Sequence, residues 1–439
     1  MEKQTNDAGF GSILIKQVKI IDPGSLNNNR IADIYISNGI ISKIGDITES
    51  GETVIEAKNC IATPGMFDLR CRQGEPGMEQ NEDLESLLKI AESGGFTALS
   101  TLPDTNPRIQ SRAHIEYLIR KSSESITKIF PLGATTIDLE GHELAELYDM
   151  HQGGALGFSN ADTPYDSGAL QRALLYTKPF GSLIFSHAED KGLSNGGYVN
   201  ESKNTAALGL KYFPAHAEYT AIAREIEIAR YTDARLHFSH LSTSKSVDLI
   251  RKAKTEGIKI SCDVSILHLI YNDHVLTEFD ANLKLMPPLR SEEDRQALIN
   301  GVNDGTIDCI VSDHNPQSPE SKVVEFNYSP FGAITLQLFF SLYNEFLNHS
   351  ISIETFIKAA SISPYKILDI EAPSIIENAS ANLAIFDSEQ VWKFNKQSNH
   401  SLSSNSHLMN KDLKGKCIFI ANNKQSKVCL LYTSDAADE

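Results

Sequence analysis

The chain has 439 residues, of which 41% are hydrophobic and 22% charged, and its formal net charge is −17 at pH 7. This composition indicates a folded globular protein, and the length suffices for a large α/β barrel with an appended unit. The negative charge opposes binding to nucleic acid, because that affinity comes largely from Lys and Arg side chains that displace counterions.

The sequence also argues against a membrane or secreted protein. It has no apolar run of about 18 residues that could span a bilayer, and its polar N-terminus has no apolar secretion signal. We therefore expect a cytoplasmic protein that does not associate with membranes. The six cysteines are scattered and never form a C-x-x-C pair, so we expect free, mostly buried thiols.

Both ends of the chain predict short β-strands. Apolar and polar positions alternate in Ile13–Ile21, Ile31–Ile36 and Ile40–Ile44, and turn-forming residues separate these runs. Near the other end, Leu383–Phe386 and Lys416–Ile420 are typical of isolated strands. We expect the N- and C-terminal strands to meet in one β-sandwich.

The middle of the chain predicts a barrel. Apolar strand-like runs alternate with amphipathic stretches such as Glu218–Arg230, and this repeat over about 300 residues predicts a (β/α)8 barrel rather than an open doubly wound sheet. The expected domains are a β-sandwich of residues 1–63 and 365–428 and a barrel of residues 64–364. Residues 429–439 look like the translation of a sequencing adapter, so we expect a non-native tail there. The strand-like runs are Phe96–Leu102, Ile129–Gly133, Leu183–His187, Arg235–His240, Ile258–Val264 and Ile307–Asp313.

Polar side chains cluster where four predicted strands end. Such ends meet at the C-terminal mouth of a barrel, where catalytic groups lie. His187, His240 and Asp313 could converge there on a divalent metal, with the carboxylate also acting as general base. Each residue alone is as consistent with a structural role, and Asp313 could equally cap a helix. The four clusters are residues 67–72, 185–190, 237–240 and 312–314.

A family resemblance extends these observations. Its runs are residues 20–24 (IIDPG), 64–69 (PGMFDL), 94–97 (GGFT), 287–290 (PPLR), 304–308 (DGTID) and 329–332 (SPFG). In them the sequence resembles the dihydroorotases, in the type that bacteria make as a separate chain of about this length. The resemblance runs from about Ile13 to Val428. It implies a metal-hydrolase barrel beside a β-sandwich, with two zinc ions that open or close the dihydroorotate ring.

The first ligands of that implied zinc site are missing. The family motif D-L-H-x-H-L-R-E-P-G reads DLRCRQGEPG here, at residues 68–77. Arg70 and Arg72 stand at the two histidine positions, and a guanidinium has no lone pair to give to a cation. The aspartate that bridges the two metals in the family falls on Asn160, a weak neutral ligand. The resemblance therefore implies that the first metal cannot bind.

Other positions of the implied metal site keep their residues. His187 and His240 match two ligands of the second metal and Asp313 matches the catalytic base, so we expect no zinc or one zinc. Arg70 and Arg72 leave the same face of one strand, and two buried cations need a counter-ion. We expect Asp313 to form a salt bridge with one of these arginines in place of the first metal.

The resemblance also implies that most substrate contacts are lost. The arginine that grips the substrate carboxylate falls on Gly74, and an asparagine is replaced by Asp104, whose charge would repel an anionic substrate. A second asparagine is replaced by Met286, and a closing histidine by Gln317. The pair Phe331–Gly332 is retained, but it offers the substrate only backbone contacts.

These losses predict a catalytically inactive dihydroorotase-like protein of pyrimidine biosynthesis. It would be a structural partner of aspartate carbamoyltransferase or of a catalytic dihydroorotase paralogue, and we expect it to form a homo-oligomer. One alternative is a dihydropyrimidinase-like hydrolase that opens another cyclic amide with one zinc on His187, His240 and Asp313. A further alternative is a regulator that binds a small anion through Arg70 and Arg72.

Overall fold

The structure is a computed structural model, described for residues 11–429. Its strands form two units, a (β/α)8 barrel and a β-sandwich, as the sequence predicts. Residues 430–439, which include nearly all of the expected non-native tail, lie outside the described part.

The β-sandwich takes strands from both ends of the chain. Its hydrogen-bonded order is β19-β18-β17-β5-β1-β2-β3, with β4 paired to β1. Strand β1 has an irregularity between Ile15 and Val18, so its first half pairs with β4 and its second half with β5. The strands are β1 (Ile13–Ile20), β2 (Ile31–Ser37), β3 (Ile40–Gly45), β4 (Thr53–Glu56), β5 (Ile61–Pro64), β17 (Asn382–Lys393), β18 (Asp412–Asn422) and β19 (Gln425–Val428).

The barrel strands run parallel to one another. They form two hydrogen-bonded groups, β6-β7-β8 and β9-β10-β11-β14-β15-β16. The barrel strands are β6 (Met66–Cys71), β7 (Phe96–Thr101), β8 (Lys128–Ile129), β9 (Gly133–Ala134), β10 (Gly157–Ser159), β11 (Leu183–His187), β14 (Leu236–Ser239), β15 (Ile260–Ser265) and β16 (Cys309–Val311). A separate parallel pair, β12 (Val199–Asn200) and β13 (Tyr212–Phe213), lies in the segment after β11.

The third barrel strand is divided. The predicted strand Ile129–Gly133 is two short strands, because Pro131 has no N–H to give to a neighbouring strand. Phe130 and Leu132 nevertheless donate their N–H groups to carbonyls of β7, at 2.7 and 3.0 Å. One continuous stretch of chain therefore fills the third position of the barrel.

Contacts between β6 and the segment after β16 join the first and last strands. The Asp68 carboxylate accepts hydrogen bonds from the N–H of Ser312 at 3.0 Å and from the Ser312 hydroxyl. Arg72 N–H donates to the carbonyl of His314 at 2.8 Å. Burial raises the pKa of Asp68 to about 7.

Helices cover the barrel. The first, α1, begins after Asp83, whose side chain accepts a hydrogen bond from Ser86 N–H, and ends at Gly95, which has φ of 87°. The longer helices are α1 (Leu84–Gly94), α2 (Arg112–Ser122), α4 (Ser167–Thr177), α6 (His216–Thr232), α7 (Ser244–Thr255) and α9 (Glu292–Asp304). The shorter ones are α3 (Leu147–Gln152), α5 (Lys191–Ser194), α8 (Ile266–Ile270), α10 (Pro319–Lys322), α11 (Phe339–Leu342), α12 (Ile353–Ile357) and α13 (Ser363–Ile367).

Two expectations from composition can be compared with the structure. The six cysteines are free, and all but Cys429 are buried, which confirms the expectation of free, mostly buried thiols. Within residues 11–429, no helix is both long and apolar enough to cross a membrane.

Strand β17 joins the two units because both of its faces are buried. Leu383 and Ile385 point into the sandwich core, whereas Ala384 and Phe386 belong to the barrel core. The Phe386 ring stacks on Phe340 with ring centroids 4.2 Å apart. The ring also lies against Gly95, where an added Cβ would come within 2.3 Å of it. Phe386 therefore packs the sandwich against α11 and against the end of α1.

We predict that Phe386→Ala lowers the free energy of unfolding by about 3–5 kcal/mol, because it leaves a cavity between the two units. Val391→Ala on the same strand is the matched control, since that side chain is 66% exposed. It should change stability by no more than about 0.5 kcal/mol. Urea unfolding measures both variants, and equal effects would contradict the assignment of Phe386 to the interface.

Candidate functional site

The candidate residues lie at the C-terminal mouth of the barrel. Arg70 is near the end of β6 and Arg72 follows that strand, while His187 ends β11. His240 and Asp313 follow β14 and β16 in a left-handed backbone conformation, with φ of 61° and 51°. Residues other than glycine rarely adopt this conformation, and it is frequent at functional sites. The strand ends therefore bring together the positions that the resemblance selects.

Asp162 bridges the two arginines. One of its carboxylate oxygens contacts Nη2 of Arg70, and the other contacts Nη2 of Arg72. Asp104 adds a second counter-ion, with its Oδ2 2.7 Å from Nε of Arg72. The Arg70 side chain is only 2% exposed, so its charge needs such a partner. We call Arg70, Arg72, Asp104, Asp162 and Asp313 the arginine–carboxylate network.

Asp313 contributes to the network at longer range. Its Oδ1 is 3.6 Å from Nε of Arg70 and 4.0 Å from Nη1 of Arg72. The same oxygen is 3.3 Å from Nε2 of His240. The expected ion pair between Asp313 and the arginines is therefore present. Asp162 and Asp104, which the sequence did not single out as counter-ions, lie closer to the two guanidinium groups than Asp313 does.

Burial and charge set the protonation of these groups. Burial alone would raise the pKa of Asp162, but Arg72 and Arg70 hold that pKa well below its usual range. Burial raises the pKa of Asp313 to about 7, against the lowering effect of the two arginines. Burial also lowers the pKa of His240. Asp162 is thus a permanently ionised counter-ion, whereas Asp313 and its histidine neighbour can both be uncharged near neutral pH.

The retained histidines are not arranged as a metal site. His187 has no hydrogen-bond partner at either ring nitrogen within the described residues, and its Nε2 is 3.8 Å from Glu189 Oε2. His240 Nδ1 is 3.3 Å from the carbonyl oxygen of Met286. Among residues 11–429, no group of three or more His, Cys, Asp or Glu side chains is placed to hold a metal ion. The residues present do not fit the two-zinc site that the resemblance implies.

Asn160 and Gly74, two positions at which the chain departs from the family motif, are held by contacts within the fold. Asn160 accepts hydrogen bonds from N–H and Oγ1 of Thr136 at 3.1 Å, and its own amide N–H donates back to that Oγ1 at 2.9 Å. A Cβ at Gly74 would come within 2.1 Å of the Met78 carbonyl oxygen and 2.4 Å of the Glu82 carbonyl oxygen. The backbone at Gly74 therefore leaves no room for the arginine that the family motif carries there.

Gln317, Phe331 and Gly332, which the resemblance assigns to the substrate site, also form hydrogen bonds within the protein. Gln317 Nε2 donates to Asn315 Oδ1 at 2.8 Å, and Asn315 Nδ2 donates to the Phe331 carbonyl at 3.3 Å. The N–H of Gly332 donates to the Lys284 carbonyl at 2.9 Å. The Phe331 carbonyl and the Gly332 N–H are thus hydrogen-bonded within the chain.

A cavity of about 230 Å³ lies over the network. Its charged lining residues are Arg72, Asp104 and Asp162, so the acids outnumber the cations. Because Asp162 and Asp104 already engage the guanidinium of Arg72, and Asp162 also engages Arg70, the charge of each arginine is already paired with a carboxylate. The other lining residues are Gln73, Gly74, Met78, Asn81, Asn315, Pro316, Gln317, Pro330 and Phe331.

Comparisons with known proteins decide the family. Residues 60–246 match the family described as Dihydro-orotase-like. The chain is 33% identical to a dihydroorotase of a Geobacter species over 93% of this chain and 97% of that protein. It is 36% identical to a dihydroorotase of Caldanaerobacter subterraneus over 92% and 94% of the two chains. The chain belongs to the dihydroorotase family.

Solved structures agree on the fold. An L-hydantoinase (dihydropyrimidinase) from Arthrobacter aurescens superposes with a TM-score of 0.83 at 21% identity, over 95% of this chain and 97% of that one. A dihydropyrimidinase from Brevibacillus agri gives 0.80 at 19% identity, over 95% of each chain. The (β/α)8 barrel with its β-sandwich is therefore the fold of this dihydroorotase family member.

Sequence reasoning missed two residues at the barrel mouth. Asp162 lies two positions after Asn160, shortly after the end of β10, and its position in the sequence does not show that it meets Arg70 and Arg72. Lys284 is 3% exposed, and its ammonium donates to the carbonyls of Phe326, Asn327 and Ser329 at 2.8–2.9 Å. The sequence around Lys284 gives little indication of this role, beyond the fact that the lysine stands between Leu283 and Leu285.

We predict that Asp162→Ala lowers the free energy of unfolding by about 3 kcal/mol, because it removes the carboxylate that bridges two largely buried cations. Asp313→Ala should cost less, about 1–2 kcal/mol, since its contacts are longer. Asp248→Ala, which removes an exposed pair with Arg251, is the control and should cost under about 1 kcal/mol. Urea unfolding of the three variants would refute this ranking if Asp313→Ala proved the most harmful.

Proposed function

We propose that this chain is a non-catalytic member of the dihydroorotase family that acts as a structural partner in pyrimidine biosynthesis. The arginine–carboxylate network is the observation that carries the proposal. It consists of two guanidinium groups, at the positions where the resemblance puts the first metal ligands, together with their carboxylate counter-ions. A hydrolase of this family would need that space for metal ions.

Zinc would have to compete with Arg70 and Arg72 for the same carboxylates. Two like unit charges about 4 Å apart repel by roughly 4 kcal/mol at an effective dielectric constant of 20, and a zinc dication doubles that charge. The acids that could offset this repulsion are held by Arg70 and Arg72. Binding a metal there would therefore require the network to come apart.

Substrate binding is opposed independently of the metal. The cavity over the network presents more acidic than basic groups, which disfavours an anion such as dihydroorotate. Gly74 cannot be replaced by a side chain without moving the backbone of Met78 and Glu82. A cyclic amide with a carboxylate would find no charged group free to hold it.

The proposed partners are aspartate carbamoyltransferase or a catalytic dihydroorotase paralogue, in an assembly that also contains further copies of this chain. The chain matches dihydroorotases over more than nine-tenths of its length, so the family fold is kept while the implied metal positions differ. A chain that keeps the barrel and the β-sandwich can still offer the family's surface to a partner protein, even when it does not catalyse the dihydroorotase reaction.

A one-zinc cyclic-amide hydrolase is the second candidate. The observation in its favour is that His187 is buried with both ring nitrogens unpartnered among the described residues. Asp313 and His240 are 3.3 Å apart and could be the other ligands. Against it, Arg70 lies beside the same Asp313 oxygen, at 3.6 Å, where a metal would need to approach.

We predict that the chain shows no dihydroorotate turnover and that Arg70→His with Arg72→His does not create it. The double variant restores both histidine positions but leaves Asp104, Gly74, Met286 and Gln317 unsuited to the substrate. The assay should find no kcat approaching the usual enzyme range of about 1–1000 per second. Zinc content is measured on the same samples.

A triple variant keeps this test decisive if the double variant folds poorly. Arg70→His, Arg72→His and Asp104→Asn together remove both cations and one of their acids, so the charge left unpaired is smaller. Circular dichroism confirms folding before the assay. Turnover by the unaltered chain would refute the proposal, and turnover by either variant would show that the substrate losses are weaker than we infer.

We also predict that the chain forms a stable complex with aspartate carbamoyltransferase or with a catalytic dihydroorotase from the same organism. Co-expressed proteins should elute together in size-exclusion chromatography with a Kd of about 1 μM or tighter, which corresponds to roughly −8 kcal/mol. The arginine double or triple variant that circular dichroism shows to be folded is the control, because its changes are inside the barrel and should leave the complex intact. Separate elution with both candidate partners would contradict the structural role.

A further inference from the structure

A cleft at the opposite end of the barrel is lined by basic residues. It has a volume of about 580 Å³, within the range of roughly 300–1,000 Å³ that is usual for small-molecule sites. Leu183 and Ile260 begin β11 and β15 there, and Arg235 and Asp308 directly precede β14 and β16. His187 is at the other end of β11, about 13 Å along the strand, so the cleft is separate from the arginine–carboxylate network.

The charges around this cleft are unbalanced. Four cations line it, Arg235, Lys259, Lys358 and Lys366, against the single acid Asp308. This concentration of positive charge stands out in a chain whose net charge is −17. Such a patch attracts anions, and low-dielectric cleft walls strengthen its field.

Most of the positive charge lacks a carboxylate partner. Asp308 is already paired with Lys254 at 2.6 Å, and Lys259 is paired with Asp233 at 2.8 Å. Within residues 11–429, no carboxylate lies within 4.0 Å of the charged nitrogens of Arg235, Lys358 or Lys366. Three cations are therefore available to one ligand.

Arg235 is held in a fixed orientation. Its Nη1 donates to the Gly181 carbonyl at 3.2 Å, and its Nη2 donates to the Ile367 carbonyl. A guanidinium has five N–H donors, so three remain for a ligand. Carbonyl groups fix the side chain without neutralising it, which lowers the conformational cost of binding. Hydroxyl groups of Ser261 and Ser363 line the same cleft.

We propose that this cleft, which we call the basic cleft, binds a small phosphorylated molecule with two or more negative charges. Arg235 would bind one phosphate group through its fixed donors, because the guanidinium fork matches phosphate geometry. Lys358 and Lys366, from the helical segment that ends at Ile367, would neutralise the remaining charge. This binding goes beyond the structural role and does not depend on it.

Isothermal titration calorimetry with inorganic pyrophosphate tests the proposal on the full chain. We expect one equivalent to bind with a Kd below about 1 mM at an ionic strength of about 0.1 M. Lys358→Ala with Lys366→Ala should weaken binding at least about tenfold, or about 1.4 kcal/mol. These exposed lysines make no ion pair within the described residues, so the double variant should fold normally.

Lys203→Ala with Lys424→Ala is the matched control, since it removes the same charge from two exposed lysines elsewhere. It should leave the Kd within about twofold, because distant surface charges are largely screened by salt. Absence of pyrophosphate binding by the unaltered chain would overturn the proposal. An equal loss in the control variant would also overturn it, since binding would then follow net charge alone.

Discussion

The Asp162 carboxylate is the counter-ion that allows two arginine side chains to be buried at the barrel mouth. Removing a guanidinium from water costs several kcal/mol unless a carboxylate meets it with good geometry. Asp162 meets two at once, one with each oxygen, and Asp104 binds the outer side of Arg72. The acids hold the arginines in place, and the arginines keep the Asp162 carboxylate ionised.

The scaffold of the site persists although its ligand set has changed. His240 and Asp313 retain left-handed backbone conformations at strand ends, and Asp68 still joins the first strand to Ser312. A network of ion pairs links the ends of these strands to the segment that carries Asp162. On this account Asp313 has become part of the packing of the mouth, with its pKa raised to about 7 by burial.

The sequence predicts the fold better than the site. Alternating patterns locate β1, and a continuous apolar run locates β11, because burial on one or on both faces of a strand fixes its residue types. The division of Ile129–Gly133 depends on one proline, which a hydrophobic pattern does not register. The choice of Asp162 over Asp313 depends on how a loop after β10 folds back across the mouth. Three-dimensional distances decide that choice, and spacing along the chain cannot supply them. The basic cleft was missed for the same reason, since its lysines and arginine are scattered over more than a hundred positions.

The central claim is that the arginine–carboxylate network stands where zinc ions would bind. The most direct test is a crystal structure of the protein grown with excess zinc, with diffraction recorded at the zinc absorption edge. The account predicts no anomalous peak among Arg70, His187, His240 and Asp313, and both guanidinium groups in contact with Asp162. A strong anomalous peak coordinated by His187, His240 and Asp313, with the arginines displaced toward solvent, would contradict it.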